Sequence, residues 1–250
     1  MKDVPADYYR RLHDVDASHW WQRGMREIEA ALLGDRLRMA GQSLLDAGCG
    51  TGAFLAWAAE LGIFDRLSGT DISREAIEIA RDVCPHADLH VAPLDRLPFE
   101  DRSFDLAVLE DVIQHVDEAE VAPGLEELRR VLRAEGTLLV RTNGARHARR
   151  ERPDWRAYDP ASLAATLQAG GFRVLRLTYA NTVLSLLAAA RGRGPHAPTS
   201  ERHGIPAADG ELTTAVGSRL LSLEARYLGA PGRKLPYGHT LLAVAEPDGR

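Results

Sequence analysis

Residues 44–52, LLDAGCGTG, constrain the fold of this chain more than any other stretch. The short apolar run suits a buried β-strand, and Gly48, Gly50 and Gly52 follow it directly. Glycine adopts a positive φ angle at little cost and lets the backbone approach a ligand closely. We therefore predict a strand that ends in a ligand-binding turn at the start of a helix.

Short apolar strands alternate with helical segments through most of the chain. This alternation indicates an α/β fold, in which helices cover both faces of a largely parallel sheet. We predict helices over residues 53–63, 74–83, 118–136, 160–169 and 212–228. The predicted strands lie within residues 43–48, 66–73, 87–94, 103–112, 137–143, 172–181 and 239–247. The expected architecture is a Rossmann-like, doubly wound, seven-stranded sheet.

The segments outside this alternation predict the domain organisation. Residues 1–42 are expected to form an N-terminal helical lid, and residues 43–180 with 237–247 to form the core. Residues 181–236 are longer than a connection between two strands needs, so we predict a helical cap insertion there.

Composition argues against several classes of function. The formal net charge of −5 does not favour a nucleic-acid partner, and the longest apolar run, near residues 182–190, is too short to span a bilayer. Two cysteines cannot form a disulfide framework, and no signal peptide is visible, so we predict a cytoplasmic protein. No His, Cys or carboxylate pattern has metal-ligand spacing, and no oligomeric state can be read.

The glycine-rich turn fits two cofactors. Gly48, Gly50 and Ala53 satisfy the dinucleotide pattern Gly-x-Gly-x-x-Gly/Ala, and Asp71 follows where a ribose-binding acid belongs. A nicotinamide dinucleotide and S-adenosylmethionine both agree with this spacing. A nicotinamide-dependent reductase would also need a Tyr-x-x-x-Lys pair, and the chain has no lysine between Lys2 and Lys234.

Carboxylates at the predicted strand ends favour S-adenosylmethionine. Asp46 precedes the first glycine, and Glu110 and Asp111 end the fourth strand. A pyrophosphate at a helix N-terminus needs amide donors without a nearby anion, whereas an ammonium and a sulfonium suit carboxylates. Asp46 has an alternative role, which is to fix the loop by accepting hydrogen bonds from turn amides.

Four stretches resemble the successive motifs of class I S-adenosylmethionine-dependent methyltransferases of the bacterial small-molecule type, with a methyltransferase domain of the 11/23 kind. These stretches are LLDAGCGTG, GTDIS, LPFEDRSFDLAVLEDVIQHV and LRRVLRAEGTLLV, within residues 43–180. HWWQRGMREI and LPYGHTLLAVAEP resemble a bacterial subgroup that begins with a Trp-Trp helix. The resemblance implies S-adenosyl-L-methionine as cofactor, S-adenosyl-L-homocysteine as product, and an antiparallel last strand.

The resemblance also implies roles for residues along the strand ends. Asp71 would bind the ribose hydroxyls, Ile72 would flank the adenine, and Glu110 would face the methionine ammonium. Pro93 stands where the family has an acid for the adenine amino group, so the backbone amide of Leu94 would serve the adenine instead. The residues expected beneath the methionine part are Gly48, Cys49, Gly50 and Gly52, with Asp46 nearby.

The N-terminal helix of such enzymes often closes over the cofactor. Trp21 is then a cofactor contact, and Arg23 could meet the methionine carboxylate. The alternative is that Trp20 and Trp21 only anchor the helix on the core. Tyr8 and Tyr9 either line the substrate entrance or are surface aromatic residues.

His115, just past the fourth strand, is the best-placed general base, because its ordinary pKa suits proton removal at neutral pH. Its alternative role is to pack beneath the cofactor. His147 is a weaker candidate, and Trp155 and Tyr158 are predicted acceptor contacts, since they follow the fifth strand at the ligand edge of the sheet.

These features predict methyl transfer to an oxygen or nitrogen of a small-molecule acceptor, such as a specialised metabolite or a sugar-derived compound. One alternative is a protein that binds S-adenosylmethionine without methyl transfer, or that uses the bound sulfonium to promote a cyclisation or rearrangement. A nucleic-acid methyltransferase is a further alternative, although the fourth-strand tip lacks an Asn-Pro-Pro-Tyr tetrapeptide.

Overall fold

A computed structural model describes residues 8–16, 19–37, 41–144, 156, 158–190 and 211–249. These residues form one seven-stranded sheet in the order β3-β2-β1-β4-β5-β7-β6. The strands are β1 Gln42–Ala47, β2 Phe64–Asp71, β3 Asp88–Val91, β4 Phe104–Glu110, β5 Leu132–Asn143, β6 Phe172–Ala180 and β7 Thr240–Pro247. Strands β1 to β5 pair in parallel, and β7 runs antiparallel between β5 and β6. The predicted fold is confirmed.

Helices lie on both faces of this sheet. They are α1 Tyr8–Asp16, α2 Trp20–Leu33, α3 Ala53–Leu61, α4 Arg74–Val83, α5 Glu118–Val131, α6 Pro160–Ala169, α7 Thr182–Ala190 and α8 Glu211–Gly229. The Ser73 side chain accepts a hydrogen bond from the Ala76 amide and so caps α4. Asp159 and Ser162 form a capping box at the start of α6, with Pro160 in the first turn.

Two apolar clusters form the core, one on each side of the sheet. Successive strand residues point to opposite faces, so Leu44 belongs to one cluster and Leu45 to the other. The first cluster packs β-strand side chains against α2, α3, α4 and α8, and the second packs them against α5 and α6. This arrangement leaves the carboxyl ends of the parallel strands as the edge where a ligand can approach.

The predicted boundary between α5 and β5 was wrong. Residues 118–136 were expected to be largely helical with the strand beginning at residue 137, but α5 ends at Val131 and β5 begins at Leu132. Leu132 is 1% exposed and pairs with Phe104 of β4. Pairing and burial of Leu132 therefore outweigh the helical tendency of the polar residues that follow.

Helices from opposite ends of the chain pack closely together. A Cβ atom at Gly24 of α2 would lie 2.4 Å from Leu221 Cδ1 of α8, and one at Gly217 of α8 would lie 2.4 Å from the Trp20 ring. The predicted lid and cap segments are thus in contact, although the proposed domain boundaries stay a prediction. Within the described part of the chain, no helix has both the length and the apolar character needed to cross a membrane.

Candidate functional site at the carboxyl edge of the sheet

The ends of β1, β2, β4 and β5 bring the candidate residues together. Asp46 pairs with Gly69 of β2 and Val108 of β4, and Glu110 pairs with Arg141 of β5. Since these strands are parallel, the glycine-rich turn, Asp71 and Glu110 all lie at the same edge. The prediction that these residues form one site agrees with their position.

The glycine-rich turn is shaped by backbone hydrogen bonds and by space that only glycine leaves. The amides of Gly48 and Cys49 donate to the Thr70 carbonyl at 2.7 and 2.8 Å. Gly48 has φ +87°, and a Cβ atom there would lie 2.3 Å from Val112 Cγ2. At Gly50, with φ +51°, a Cβ atom would meet nothing within 4 Å, so the turn is open at this residue.

Cys49 lies in this turn with its side chain buried. Burial and the nearby Asp46 and Asp71 raise the pKa of the Cys49 thiol well above its usual value, so the thiol stays protonated. A neutral, buried thiol agrees with the role of a small side chain that fits the turn.

Asp71 holds the turn from the end of β2. Its Oδ2 accepts the Gly50 amide at 3.0 Å, and its Oδ1 accepts the Ser73 amide at 2.8 Å. Burial raises the pKa of this carboxyl group, while the amide donors act in the opposite direction. Each oxygen keeps a further lone pair, so the carboxylate can still accept hydrogen bonds from two ligand hydroxyls.

Tyr9 lies beside Asp71 rather than apart from the cofactor residues. Tyr9 is 8% exposed, and its hydroxyl group is hydrogen-bonded to Ser73. Burial raises the pKa of the Tyr9 hydroxyl, while the hydrogen bond with Ser73 acts in the opposite direction. The ring of Tyr8 packs edge-on against Tyr9 with ring centroids 5.1 Å apart. The predicted entrance residues thus adjoin the ribose end of the expected cofactor position.

Beyond Asp71, the expected adenine surface is apolar and open. Ile72 is 69% exposed, and Pro93 is also exposed. The Leu94 side chain packs on α5, where a Cβ atom at Gly124 would lie 2.8 Å from Leu94. Ile72 is therefore accessible to a ligand beside Asp71, and of Leu94 only the backbone is; both adenine contacts stay predictions.

Arg141 organises the other end of the site, and the sequence reasoning missed it. This guanidinium, 3% exposed, lies 2.8 Å from Glu29 of α2, 3.3 Å from Glu110 and 2.9 Å from Asp111. It also lies 5.5 Å from the centre of the Trp21 ring. An arginine within the apolar strand TLLVRTN was a usable signal, because a buried charge needs partners.

Carboxylates outnumber the positive charges around Arg141. We call Glu29, Asp46, Glu110 and Asp111 the acidic cluster; the nearby cations among the described residues are Arg26 and Arg141. Burial, Glu110 and Asp71 raise the pKa of Asp46 well above its usual value. Burial also raises the pKa of Glu110, which Arg141 lowers and Glu29 raises further.

The acidic cluster fits a cationic ligand. Glu29 Oε2 and Glu110 Oε1 are buried and have no hydrogen-bond donor. The amides of Gly48, Cys49 and Gly50 donate to Thr70 and Asp71, so Asp46 does not hold these turn amides. The ammonium and sulfonium of S-adenosylmethionine would supply the positive charge that this cluster lacks.

Helix α2 covers this cluster with residues one turn apart. Trp21 is half-buried over Arg141, whereas Trp20 is buried in the core and packs on Gly217. The Arg23 side chain is exposed; Arg26, one turn later, is buried and its charge acts on Asp46. Arg26 therefore lies closer to the acidic cluster than the predicted Arg23.

The predicted base and acceptor-contact residues lie in different environments, and two of them lie outside the described residues. His115 is half-buried in the turn after β4, where its amide donates to the Val112 carbonyl at 2.8 Å, and its role as a base stays a prediction. Tyr158 is 2% exposed within the second apolar cluster, so its position supports a core role rather than an acceptor contact. His147 and Trp155 lie outside the described residues.

Gln114, which the sequence reasoning also missed, fixes this turn. It is 2% exposed, accepts a hydrogen bond from the Thr142 hydroxyl at 2.8 Å and donates to Asp111 Oδ1 at 3.4 Å. Asp111 has φ +53°, a backbone conformation that this hydrogen bond helps to hold. Among the described residues, no group of three or more His, Cys, Asp or Glu side chains has the arrangement of a metal site.

The central part of the chain matches a known domain. Residues 45–140 match the family described as "Methyltransferase domain". The O-methyltransferase cnsE of Penicillium expansum is 29% identical over 184 residues, covering 64% of this chain and 65% of that protein. The ubiquinone/menaquinone biosynthesis C-methyltransferase UbiE of Geotalea uraniireducens is 30% identical over 142 residues, covering 54% and 56% respectively. The chain spans about half the length of the curated relatives it matches.

Solved structures share the fold over nearly the whole chain. A TehB-like SAM-dependent methyltransferase from Corynebacterium glutamicum has a TM-score of 0.58 at 18% identity, covering 96% of both chains. The [4+2]-cyclase SpnF also has a TM-score of 0.58, at 21% identity, covering 93% of this chain and 85% of its own. The predicted resemblance to class I methyltransferases is confirmed, and this domain and fold imply S-adenosylmethionine as the cofactor.

Proposed function

We propose that this chain, which carries a methyltransferase domain over residues 45–140, transfers a methyl group from S-adenosylmethionine to an oxygen or nitrogen of a small-molecule acceptor. One observation carries the proposal: a turn that is open at Gly50 lies beside a buried cluster in which carboxylates outnumber arginines. A ligand with an ammonium, a sulfonium and ribose hydroxyls satisfies both parts of this site.

The residues that would hold the cofactor follow from their contacts. Asp71 accepts the ribose hydroxyls, while its bonds to Gly50 and Ser73 keep the carboxylate in place. Asp46 and Glu110 face the ammonium, and Trp21 covers it from α2. When bound, S-adenosylmethionine supplies a methyl carbon on a sulfonium, which is an electrophile with a neutral leaving group. The main work of the chain is then to align the acceptor and exclude water.

Proton removal from the acceptor is assigned to His115. An acceptor hydroxyl or ammonium must lose a proton as the new bond forms. His115 lies in the turn that carries Val112, which contacts the glycine-rich turn. Its half-buried side chain on this edge supports the assignment, as does the ordinary titration range of histidine.

The acceptor is proposed to bind between the lid and the cap. Helix α7 begins at the same edge as the site, because Ala180 at the end of β6 pairs with Thr240 at the start of β7. Its exposed Val183, Leu186 and Leu187 support an acceptor with an apolar part. A net charge of −5 supports a small molecule rather than a nucleic acid, and the two reduced cysteines support a cytoplasmic location.

Calorimetric titration with S-adenosylhomocysteine tests the cofactor site. We expect Asp71→Ala to weaken binding about ten- to a hundredfold, because it removes hydrogen bonds to an ionised group. Asp82→Ala, on the exposed side of α4, is the matched control and should bind as the wild type does. Equal binding by the wild type and Asp71→Ala would contradict the assignment of Asp71.

Methyl transfer itself is tested by formation of S-adenosylhomocysteine with a panel of phenols, alcohols, amines and sugar derivatives. His115→Gln should lose turnover with a hydroxyl acceptor while keeping its affinity for S-adenosylhomocysteine. If His115→Gln keeps full turnover across neutral pH, His115 is not the base. Methylation of carbon alone would contradict the proposed acceptor atoms.

A second candidate is a protein that binds S-adenosylmethionine without methyl transfer, or that promotes a cyclisation or rearrangement. Pro93, exposed where the resemblance to class I methyltransferases implies an adenine-binding acid, favours it, and the fold of the [4+2]-cyclase SpnF is compatible with it. Cofactor binding with no S-adenosylhomocysteine formed, together with rearrangement of an acceptor, would select this candidate.

A further inference from the structure

Glu29 and Glu110 approach each other on one guanidinium. Arg141 Nη1 lies 2.8 Å from Glu29 Oε1, and Arg141 Nη2 lies 3.3 Å from Glu110 Oε2. Glu29 raises the pKa of Glu110, both as a neighbouring negative charge and through side-chain hydrogen bonding. The remaining oxygens, Glu29 Oε2 and Glu110 Oε1, are buried and have no N–H or O–H donor.

Two ionised carboxylates are unstable in this contact. Each carboxylate would be desolvated, and Glu29 Oε2 and Glu110 Oε1 would still receive no hydrogen-bond donor. The charged groups around the pair are Arg141 from β5, Asp111 just after β4 and Asp46 from β1, with Asp71 from β2 and Arg26 from α2 acting on Asp46. Three of these five are acidic, so the surroundings do not compensate for a second negative charge. One proton held between the two carboxyl groups removes that charge and supplies the missing donor.

We propose that Glu29 belongs to the cofactor site: it shares one proton with Glu110 in the ligand-free protein, and the ammonium of the cofactor takes the place of that proton. This inference rests on the proposed function, because it assumes that the cationic end of S-adenosylmethionine faces Glu110. Binding then exchanges one positive charge for another, and both glutamates remain bonded to Arg141. Glu29 thereby couples the lid helix α2 to an occupied site.

The exchange makes the site select a ligand with an ammonium group. S-adenosylhomocysteine carries this group, whereas 5′-methylthioadenosine has the same adenine and ribose but lacks it. Only S-adenosylhomocysteine should therefore release the proton. Its affinity should rise with pH up to the pKa of the pair, since a proton must leave before the ammonium can bind.

Calorimetry in buffers of different ionisation enthalpy counts the released protons. Between about pH 5 and pH 8, we expect release of about one proton with S-adenosylhomocysteine at the acidic end, falling towards zero as pH rises. 5′-Methylthioadenosine should bind with no release. Binding of S-adenosylhomocysteine without proton release at any pH would overturn the inference while leaving the proposed function intact.

Glu29→Gln tests the source of the proton. A glutamine at this position donates its amide to Glu110, so the variant should bind S-adenosylhomocysteine with little or no proton release. Glu27→Gln, on the exposed side of α2, is the matched control and should release as the wild type does. If Glu29→Gln releases as many protons as the wild type, or if Asp46→Asn abolishes release, the proton comes from another group and the inference is wrong.

A measurement on the ligand-free protein separates the two possible failures. Burial and Glu29 raise the pKa of Glu110, so the folded state binds more protons than the unfolded state and stability falls as pH rises from about 4.5 towards the folded pKa. This fall should be smaller in Glu29→Gln than in the wild type and in Glu27→Gln. An identical fall in all three would overturn the proton sharing. Failure of the wild type to bind either ligand would instead refute the proposed function.

Discussion

Arg141 shows how one buried side chain holds several elements of the site. Its guanidinium joins Glu29 of α2 to Glu110 at the end of β4 and to Asp111 just after it, and Trp21 lies over it. A rigid fork of five N–H donors serves three carboxylates from three separate nitrogens, whereas a lysine would have to reach all three from one nitrogen. The shape of the ligand edge therefore depends on this one residue of β5.

Replacing Arg141 should be costly. Arg141→Met leaves the carboxylates around it buried without their donor, and we expect the free energy of unfolding to fall by about 3–5 kcal/mol. Arg173→Met is the matched control, because Arg173 forms an exposed ion pair with Glu246, and it should cost less than about 1 kcal/mol. Chemical denaturation at neutral pH measures both. Equal losses would show that the guanidinium does not offset the buried charge.

Comparing alanine substitutions at Gly50 and Gly232 distinguishes the effect of backbone strain from the effect of a lost ligand contact. Gly50 and Gly232 both have a positive φ angle, and a Cβ atom at either would meet nothing within 4 Å. Gly50→Ala and Gly232→Ala should thus both lower stability by about 1–2 kcal/mol through strain alone. Only Gly50→Ala should weaken S-adenosylhomocysteine binding in calorimetry, because only Gly50 lies in the turn beside Asp71. If Gly232→Ala weakens binding as much, the open turn is not the ligand surface.

At the scale of elements, apolar runs and caps predicted most strands and helices. Ser73, Asp159 and Pro160 act at their helix starts as expected. The pattern failed at Leu132, where pairing with β4 depends on a partner strand distant in sequence. It also failed for Arg141 and Gln114, because local periodicity does not say which side chains meet across strands. The glycines of the turn, and Asp46, Asp71 and Glu110, were predictable because each lies at or just after the end of a strand, whereas Glu29 lies within α2 and was missed.

The packing of α2 on α8 depends on two glycines. Gly217→Ala would place a methyl group 2.4 Å from the Trp20 ring. We expect a net loss of about 1–2 kcal/mol in stability, because a steric cost of about 1–3 kcal/mol exceeds the gain of up to about 1 kcal/mol in helix propensity. Gly229→Ala, on the same helix, would contact Ala31 at an ordinary 3.6 Å and should be neutral or stabilising. Thermal unfolding of both variants measures the difference. A stabilised Gly217→Ala would contradict the close packing.

In the whole molecule, segments from both ends of the chain meet over the central sheet. Helix α2 precedes the first strand, α8 precedes the last, and both belong to the same apolar cluster. Glu224 of α8 also accepts the amides of Asn181 and Val183 at 2.8 and 3.1 Å, so α8 holds the start of α7. Because α2 also carries Glu29 and Trp21, the proposed cofactor site predicts that ligand binding at the strand ends is linked to this packing.

Hydrogen exchange should reveal that link. A ligand that binds only the folded site lowers the population of locally open states, by about 2.7 kcal/mol at a hundredfold excess over Kd. With S-adenosylhomocysteine we expect slower exchange in the glycine-rich turn, in α2 and in α8, because α8 packs on α2. Helix α6, in the apolar cluster on the opposite face, is the internal control and should change least.

Glu29→Gln should keep protection of the turn but reduce protection of α2 and α8. Protection of the turn alone in the wild type would mean that α2 does not respond to the ligand, and that the site is completed by the strand ends without the lid.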